Sequence, residues 1–212
     1  MNKITLSGVV PLTIKDRISV NSDIWNKDLS FEKGIFYAIK AISGSGKSTF
    51  INSLYGIRKD FDGSILLDNQ EIKTMSSNDL SPCRKNEMSI VFQDLRLFGQ
   101  LTAEENILLK TESKTLNETQ LEWAYRLRIS HLMSKETQIL SYGERQRVAI
   151  LRALSQNFDF LFLDEPFSHL DKENGLNAYE LILIQAKEKN ACIIMTSLGN
   201  ETYLEADKTL LL

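Results

Sequence analysis

Apolar residues occur along this chain in short runs divided by turn signals, and the spacing within each run predicts its element. Between residues 4 and 31 the runs are brief, among them Val9-Val10-Pro11-Leu12 and the alternating Leu29-Ser30-Phe31. Turns are expected at Asn21-Ser22-Asp23 and Lys33-Gly34. This pattern predicts an antiparallel β-layer. A further strand of the layer is expected at Ile65-Leu66-Leu67, entered through Asp62-Gly63-Ser64 and left through Asp68-Asn69. Largely apolar runs at 35–42, 88–92, 158–163 and 191–196 predict core strands, that at 158–163, nearly unbroken, being of the kind buried on both faces of a parallel sheet, and 208–212 predicts the last strand.

Between these strands the period lengthens to that of a helix. One helix is expected over 47–55, stopped by Gly56; a second over 118–129, with Leu121, Ala124 and Leu127 on one face; a long one opens at 140–150; a fourth covers 173–189. Thr102 with Glu105, and Ser141 with Glu144, have the spacing of capping boxes, and Asn117 followed by Gln120 suggests another helix start. Residues 76–85 are polar and read as a loop with a short helix. Residues 95–140 form a helical lobe between two strands. No repeat, linker or composition break divides residues 1–212, which predicts a single domain of α/β class: a mixed, mainly parallel core sheet, an N-terminal antiparallel β-layer and the inserted lobe.

A chain of 212 residues is long enough for one good core. Its formal charge of −3 argues against a nucleic-acid partner held by phosphate contacts. No apolar run approaches the ~20 residues needed to cross a bilayer, and residues 1–5 lack a signal-peptide core, so a cytoplasmic location is expected. Cys83 and Cys192 are far apart and have no metal-ligand spacing, which predicts two inert thiols.

The chemistry concentrates at residues 35–49, a buried strand followed by Ser43-Gly44-Ser45-Gly46-Lys47-Ser48-Thr49. Gly44 and Gly46 let the backbone fold into a nest of N–H groups beside a helix N-terminus, which favours an anion. Lys47 adds a positive charge between terminal phosphates, and the Ser48 hydroxyl is placed to ligate Mg²⁺. This predicts a nucleoside-triphosphate cradle and a P-loop NTPase, although the usual first glycine of the pattern is Ala41 here. The strand at 158–163 ends on Asp164-Glu165. Ligands of parallel sheets bind at the carboxyl edge, so Asp164 is expected to hold Mg²⁺ and Glu165 to act as base on an attacking water. Trp25 is an early candidate to stack on a base, with a core role the simpler reading.

With Leu140-Ser141-Tyr142-Gly143-Glu144 in view, the chain resembles the ATP-binding subunit of an ABC transporter over essentially its full length. Residues 41–49 are similar to the Walker A loop, Gln93 to the glutamine loop, 140–144 to the signature motif, 160–165 to the Walker B strand, and Ser168-His169-Leu170-Asp171 to the loop after it. Phe92-Gln93 with Leu101-Thr102-Ala103-Glu104-Glu105-Asn106-Ile107 is similar to the lipoprotein-release, macrolide-export and cell-division branch.

The resemblance implies a head-to-tail dimer, with a second copy or a paralogue, that sandwiches two ATP molecules. Ser141, Tyr142, Gly143 and Glu144 of one copy would face the γ-phosphate of the other, while Gln93 would ligate Mg²⁺ and relay closure to an integral membrane permease, which would hold the chain on the inner face of the cell membrane. Three further departures stand out. Tyr142 replaces a glycine, no aromatic lies where the family stacks adenine, and Ser197 stands where a switch histidine is expected to assist catalysis. The implied function is hydrolysis of ATP to power a separate permease, with slow hydrolysis expected from Ser197. An ATP-dependent regulatory or force-transmitting subunit is the alternative.

Overall fold

The computed structural model describes residues 1–19, 21–42, 44–198 and 205–212. Two sheets organise them. Strands β1 (Lys3–Pro11), β2 (Asp28–Glu32), β4 (Phe61–Leu67) and β5 (Gln70–Glu71) form an antiparallel sheet in the order β2-β1-β4-β5. Strands β3 (Phe36–Lys40), β6 (Met88–Val91), β7 (Phe160–Asp164), β8 (Cys192–Ser197) and β9 (Lys208–Leu211) form a second sheet in the order β6-β7-β8-β3-β9, parallel in every pairing.

The parallel sheet is buried on both sides, as its unbroken apolar runs require. Side chains alternate across a strand, so Phe160 and Phe162 of β7 enter one core while Leu161 and Leu163 enter the other. The first core also takes Ile4, Leu6 and Phe31 of the antiparallel sheet and Phe50 and Leu54 of helix α1 (Lys47–Leu54). The second takes Val148 and Leu151 of α5 (Tyr142–Leu154), Leu181 and Ile182 of α6 (Lys172–Glu188), and the lobe built from α3 (Ala103–Leu108) and α4 (Glu118–Arg126). Helix α1 and the cradle before it are therefore wedged between the two sheets.

Several local expectations need correction. Residues 77–86 are not mainly loop but the helix α2 (Ser77–Asn86), capped by Ser76 and Asp79 although Pro82 lies inside it. Leu80 buries against the turn at Gly56, where an added side-chain carbon would lie 3.0 Å from its Cδ1. Arg84 donates to the carbonyl of Tyr55, and these ties offset the amide that Pro82 lacks. Asp62-Gly63-Ser64 lies within β4 and is no separate turn. Gly63 has φ +81°, and a Cβ there would sit 2.4 Å from the Gly8 carbonyl, so the two strands cross too closely for any other residue. In α4 the buried face carries Trp123 and Ala124, while Leu121 is exposed, and the helix stops at Arg126.

The register brings the functional ends together. Lys40 pairs with Ser197, Ile39 and Asp164 both pair with Thr196, and Val91 pairs with Leu163. The segments that follow β3, β6, β7 and β8 thus leave the sheet along one edge.

Candidate functional site

The turn between β3 and α1 stands at that edge. Gly44 and Gly46 have φ of +82° and +102°, and Gly46 is the N-cap of α1. A Cβ on Gly46 would lie 2.5 Å from Ile14 Cδ1, a side-chain end that can shift, so it is the backbone conformation that calls for glycine there. Ser45 ties the turn by donating its hydroxyl to the carbonyl of Ile42 at 2.8 Å. Ser43 lies outside the described residues. Thr49, half-buried in the first turn of α1, accepts on its carbonyl the hydroxyl of Ser53.

Lys47 is almost wholly buried and folds back over the turn. Its ammonium donates to the carbonyls of Ala41 and Ile42 at 3.3 and 3.1 Å and lies 3.1 Å from Glu165 Oε1. One residue on, Ser48 donates to Gln93 Oε1 at 3.1 Å, and Gln93 Nε2 reaches Glu165 Oε2 at 3.5 Å. Lys47, Glu165, Gln93 and Ser48 form one connected chain of polar contacts. Ser48, Gln93 and Asp164 open onto a cleft of 420 Å³ also lined by Asn52, Arg96 and Tyr142.

Asp164 is buried at the end of β7, and burial pushes its carboxyl above the usual range while the hydroxyls of Ser48 and Thr196 pull it back. Thr196 donates to Asp164 Oδ1 at 2.7 Å. Glu165 has φ +51°, a left-handed conformation unusual for a side chain of its size. Its amide donates to Thr196 O at 3.2 Å and to Thr196 Oγ1 at 3.3 Å, which fixes the bend that turns its carboxylate toward Lys47. Thr196 was legible only as the last residue of an apolar run, yet it holds both acids. Ser197 follows it, buried, with its carbonyl accepting the amide of Ala41 at 3.3 Å.

At the head of α5, Ser141 and Glu144 make the expected capping box. The Ser141 hydroxyl and amide both donate to the Glu144 carboxylate at 2.8 Å, and these bonds hold that carboxyl below its ordinary value. Gly143 packs so close to the 168–171 loop that a Cβ would lie 3.1 Å from His169 O. Tyr142 lies back on its own subunit: its hydroxyl donates to Gln93 O at 2.7 Å and its ring centroid is 4.2 Å from that of His169. Gln146, unmarked by the sequence patterns above, donates to Glu165 O at 3.2 Å and accepts the amide of His169 at 3.3 Å. Trp25 is buried with its ring edge-on to Phe50, a core position.

Oxygens of a hydroxyl, an amide and a carboxylate are hard donors of the kind Mg²⁺ accepts, so Ser48, Gln93 and Asp164 fit that ion. The concave turn, the helix N-terminus and Lys47 fit a polyphosphate.

Comparison with known proteins agrees with this geometry. The family described as "ABC transporter" matches residues 25–168. Among relatives, the uncharacterized ABC transporter ATP-binding protein YvcR of Bacillus subtilis (strain 168) is 34% identical over 175 residues, covering 80% of this chain and 68% of its own. The lipoprotein-releasing system ATP-binding protein LolD of Buchnera aphidicola subsp. Schizaphis graminum (strain Sg) is 36% identical over 174 residues, covering 80% and 76%. Among solved structures, the dimeric structure of MJ0796, a bacterial ABC transporter cassette, superposes with a TM-score of 0.84 at 25% identity, covering 99% of this chain and 94% of that one.

Proposed function

The chain belongs to the ABC transporter family as an ATP-binding cassette, and from that premise we propose that it binds MgATP on residues 43–49, hydrolyses it with Glu165 as base, and powers a separate membrane permease as one half of a two-copy ATP sandwich. The observation that carries this reading is the connected polar chain of Lys47, Glu165, Gln93 and Ser48 at the carboxyl edge of the parallel sheet. Support for the pairing comes from the dimeric cassette that shares the fold.

In this mechanism the amides of 43–48 and the N-terminus of α1 take the phosphate oxygens, and Lys47 exchanges its bonds to Ala41 O and Ile42 O for the β- and γ-phosphates. Mg²⁺, when bound, neutralises charge developing between those phosphates. Ser48, Gln93 and Asp164 orient it. Glu165, freed from Lys47 as the γ-phosphate takes the ammonium, accepts the proton of the attacking water. Ser141 and Gly143 of the second copy close the site with the hydroxyl and helix N-terminus of α5. Where the family expects a histidine, Ser197 offers a shorter group, and slow hydrolysis follows from it.

Residues 93–99 offer the permease an exposed Phe98 and a half-exposed Arg96 guanidinium that covers the Phe92 ring at 3.8 Å. No helix among the described residues is long and apolar enough to cross a membrane. The test is affinity capture of the chain from detergent-solubilised membranes of its source. Recovery of an integral membrane protein in fixed ratio is the expected result, and consistent recovery of the chain alone contradicts the transporter reading.

A further inference from the structure

The loop after β6 is gripped from one side by α5. Tyr142, the first residue of α5, donates its hydroxyl to Gln93 O at 2.7 Å; Arg152, near its last turn, donates to Leu95 O at 2.6 Å and Arg96 O at 2.7 Å. Leu95 and Arg96 have φ of +61° and +46°, conformations that persist only where the surroundings impose them. Arg152 is buried with carbonyls in place of a carboxylate partner, and burial brings its guanidinium down to about 10. Gln93 links the Tyr142 grip to the cradle: its backbone carbonyl is held by Tyr142 of α5, and its side chain bridges Ser48 and Glu165.

We propose that Tyr142 is a positioning residue that couples the two nucleotide sites of the sandwich, transmitting the state of Gln93 in its own site to Ser141 and Gly143, which serve the other. This rests on the sandwich reading above. Ligand entering the cradle must take Ser48 and Glu165 away from the Gln93 side chain. A shift of Gln93 pulls on the Tyr142 hydroxyl through a short bond, and Tyr142 is flanked in sequence by the two residues that meet the second nucleotide. The ring resists independent movement: it packs on His169 and lies under the Arg145 guanidinium at 5.3 Å. A glycine at this position could make no such link.

The test is Tyr142→Phe, which keeps the ring and removes only the hydroxyl. Phosphate release is measured against ATP concentration, and one-site affinity is measured with a fluorescent ATP analogue at dilutions where the chain is monomeric. The wild type is expected to show a Hill coefficient approaching about two, the number of coupled sites. The variant should fall to about one, with one-site affinity within about twofold, which also shows that it is folded. A wild-type coefficient near one, or the same coefficient in both, overturns the coupling. A second measurement follows ATP-driven pairing in the Gln93→Ala background, where the side chain no longer reaches the cradle. Tyr142→Phe should then add no further effect, and full additivity overturns the coupling. Should the wild type never pair with ATP, the sandwich reading itself fails, and this inference with it.

Discussion

Glu165 Oε1 stands 3.1 Å from Lys47 Nζ, and both side chains are largely withdrawn from solvent. Each neutralises the other, so neither buried charge is left uncompensated. Removing one partner of such a pair leaves an uncompensated buried charge. In the mechanism proposed above, an arriving γ-phosphate would compete with Glu165 for Lys47 and so release the carboxylate.

Lys47→Ala should therefore weaken MgATP binding by about a hundredfold, the loss of a charge-assisted bond worth about 3 kcal/mol. Titration calorimetry checks it. Equal affinity of variant and wild type would remove the phosphate assignment.

Glu144 supplies a pH-dependent prediction. Hydrogen bonds from the Ser141 hydroxyl and amide hold its carboxyl below the ordinary value of 4.5. A depressed carboxyl contributes stability that is present above the unfolded value and is lost as pH falls through the folded one. Wild type should thus melt above Glu144→Ala at neutral pH, by at most about 1 kcal/mol because the group is mostly exposed to solvent screening. The gap should narrow only below pH 4.5. A gap that stays constant down to acid unfolding would show that the charge on the cap is irrelevant.

Ser197 ends β8 beside the cradle, buried, and its carbonyl ties Ala41. A serine side chain is several ångströms shorter than an imidazole, and one missing transition-state contact costs about 10²–10³ in rate. Basal turnover is expected to be slow with ATP binding intact, and Ser197→His should raise it. Fast wild-type phosphate release, unchanged in Ser197→Ala, would show that this position takes no part.

How far these positions were readable follows from what fixes each one. The core strands and the acids at 164–165 were legible because burial on both faces forces unbroken apolar runs, which end where the site begins. Helix α2 was not, because its sequence is polar with a central proline and its support comes from Arg84 reaching Tyr55 and Leu80 filling a gap beside Gly56. On α4, Ala124 is buried as expected, as is Leu127 just after the helix, but Leu121 fits the helical period as well as Trp123, and only the packing decides between those two. Thr196, Gln146 and the direction of Tyr142 depend on partners 19 or more residues away. No local pattern carries that information.

The central claim is that two copies close on ATP and open by hydrolysis through Glu165. Light scattering of Glu165→Gln, with and without MgATP, tests it most directly. The account predicts a monomer without nucleotide and a stable doubling of mass with it, while the wild type returns to monomer as ATP is consumed. A variant whose mass is unchanged by saturating MgATP would contradict the sandwich.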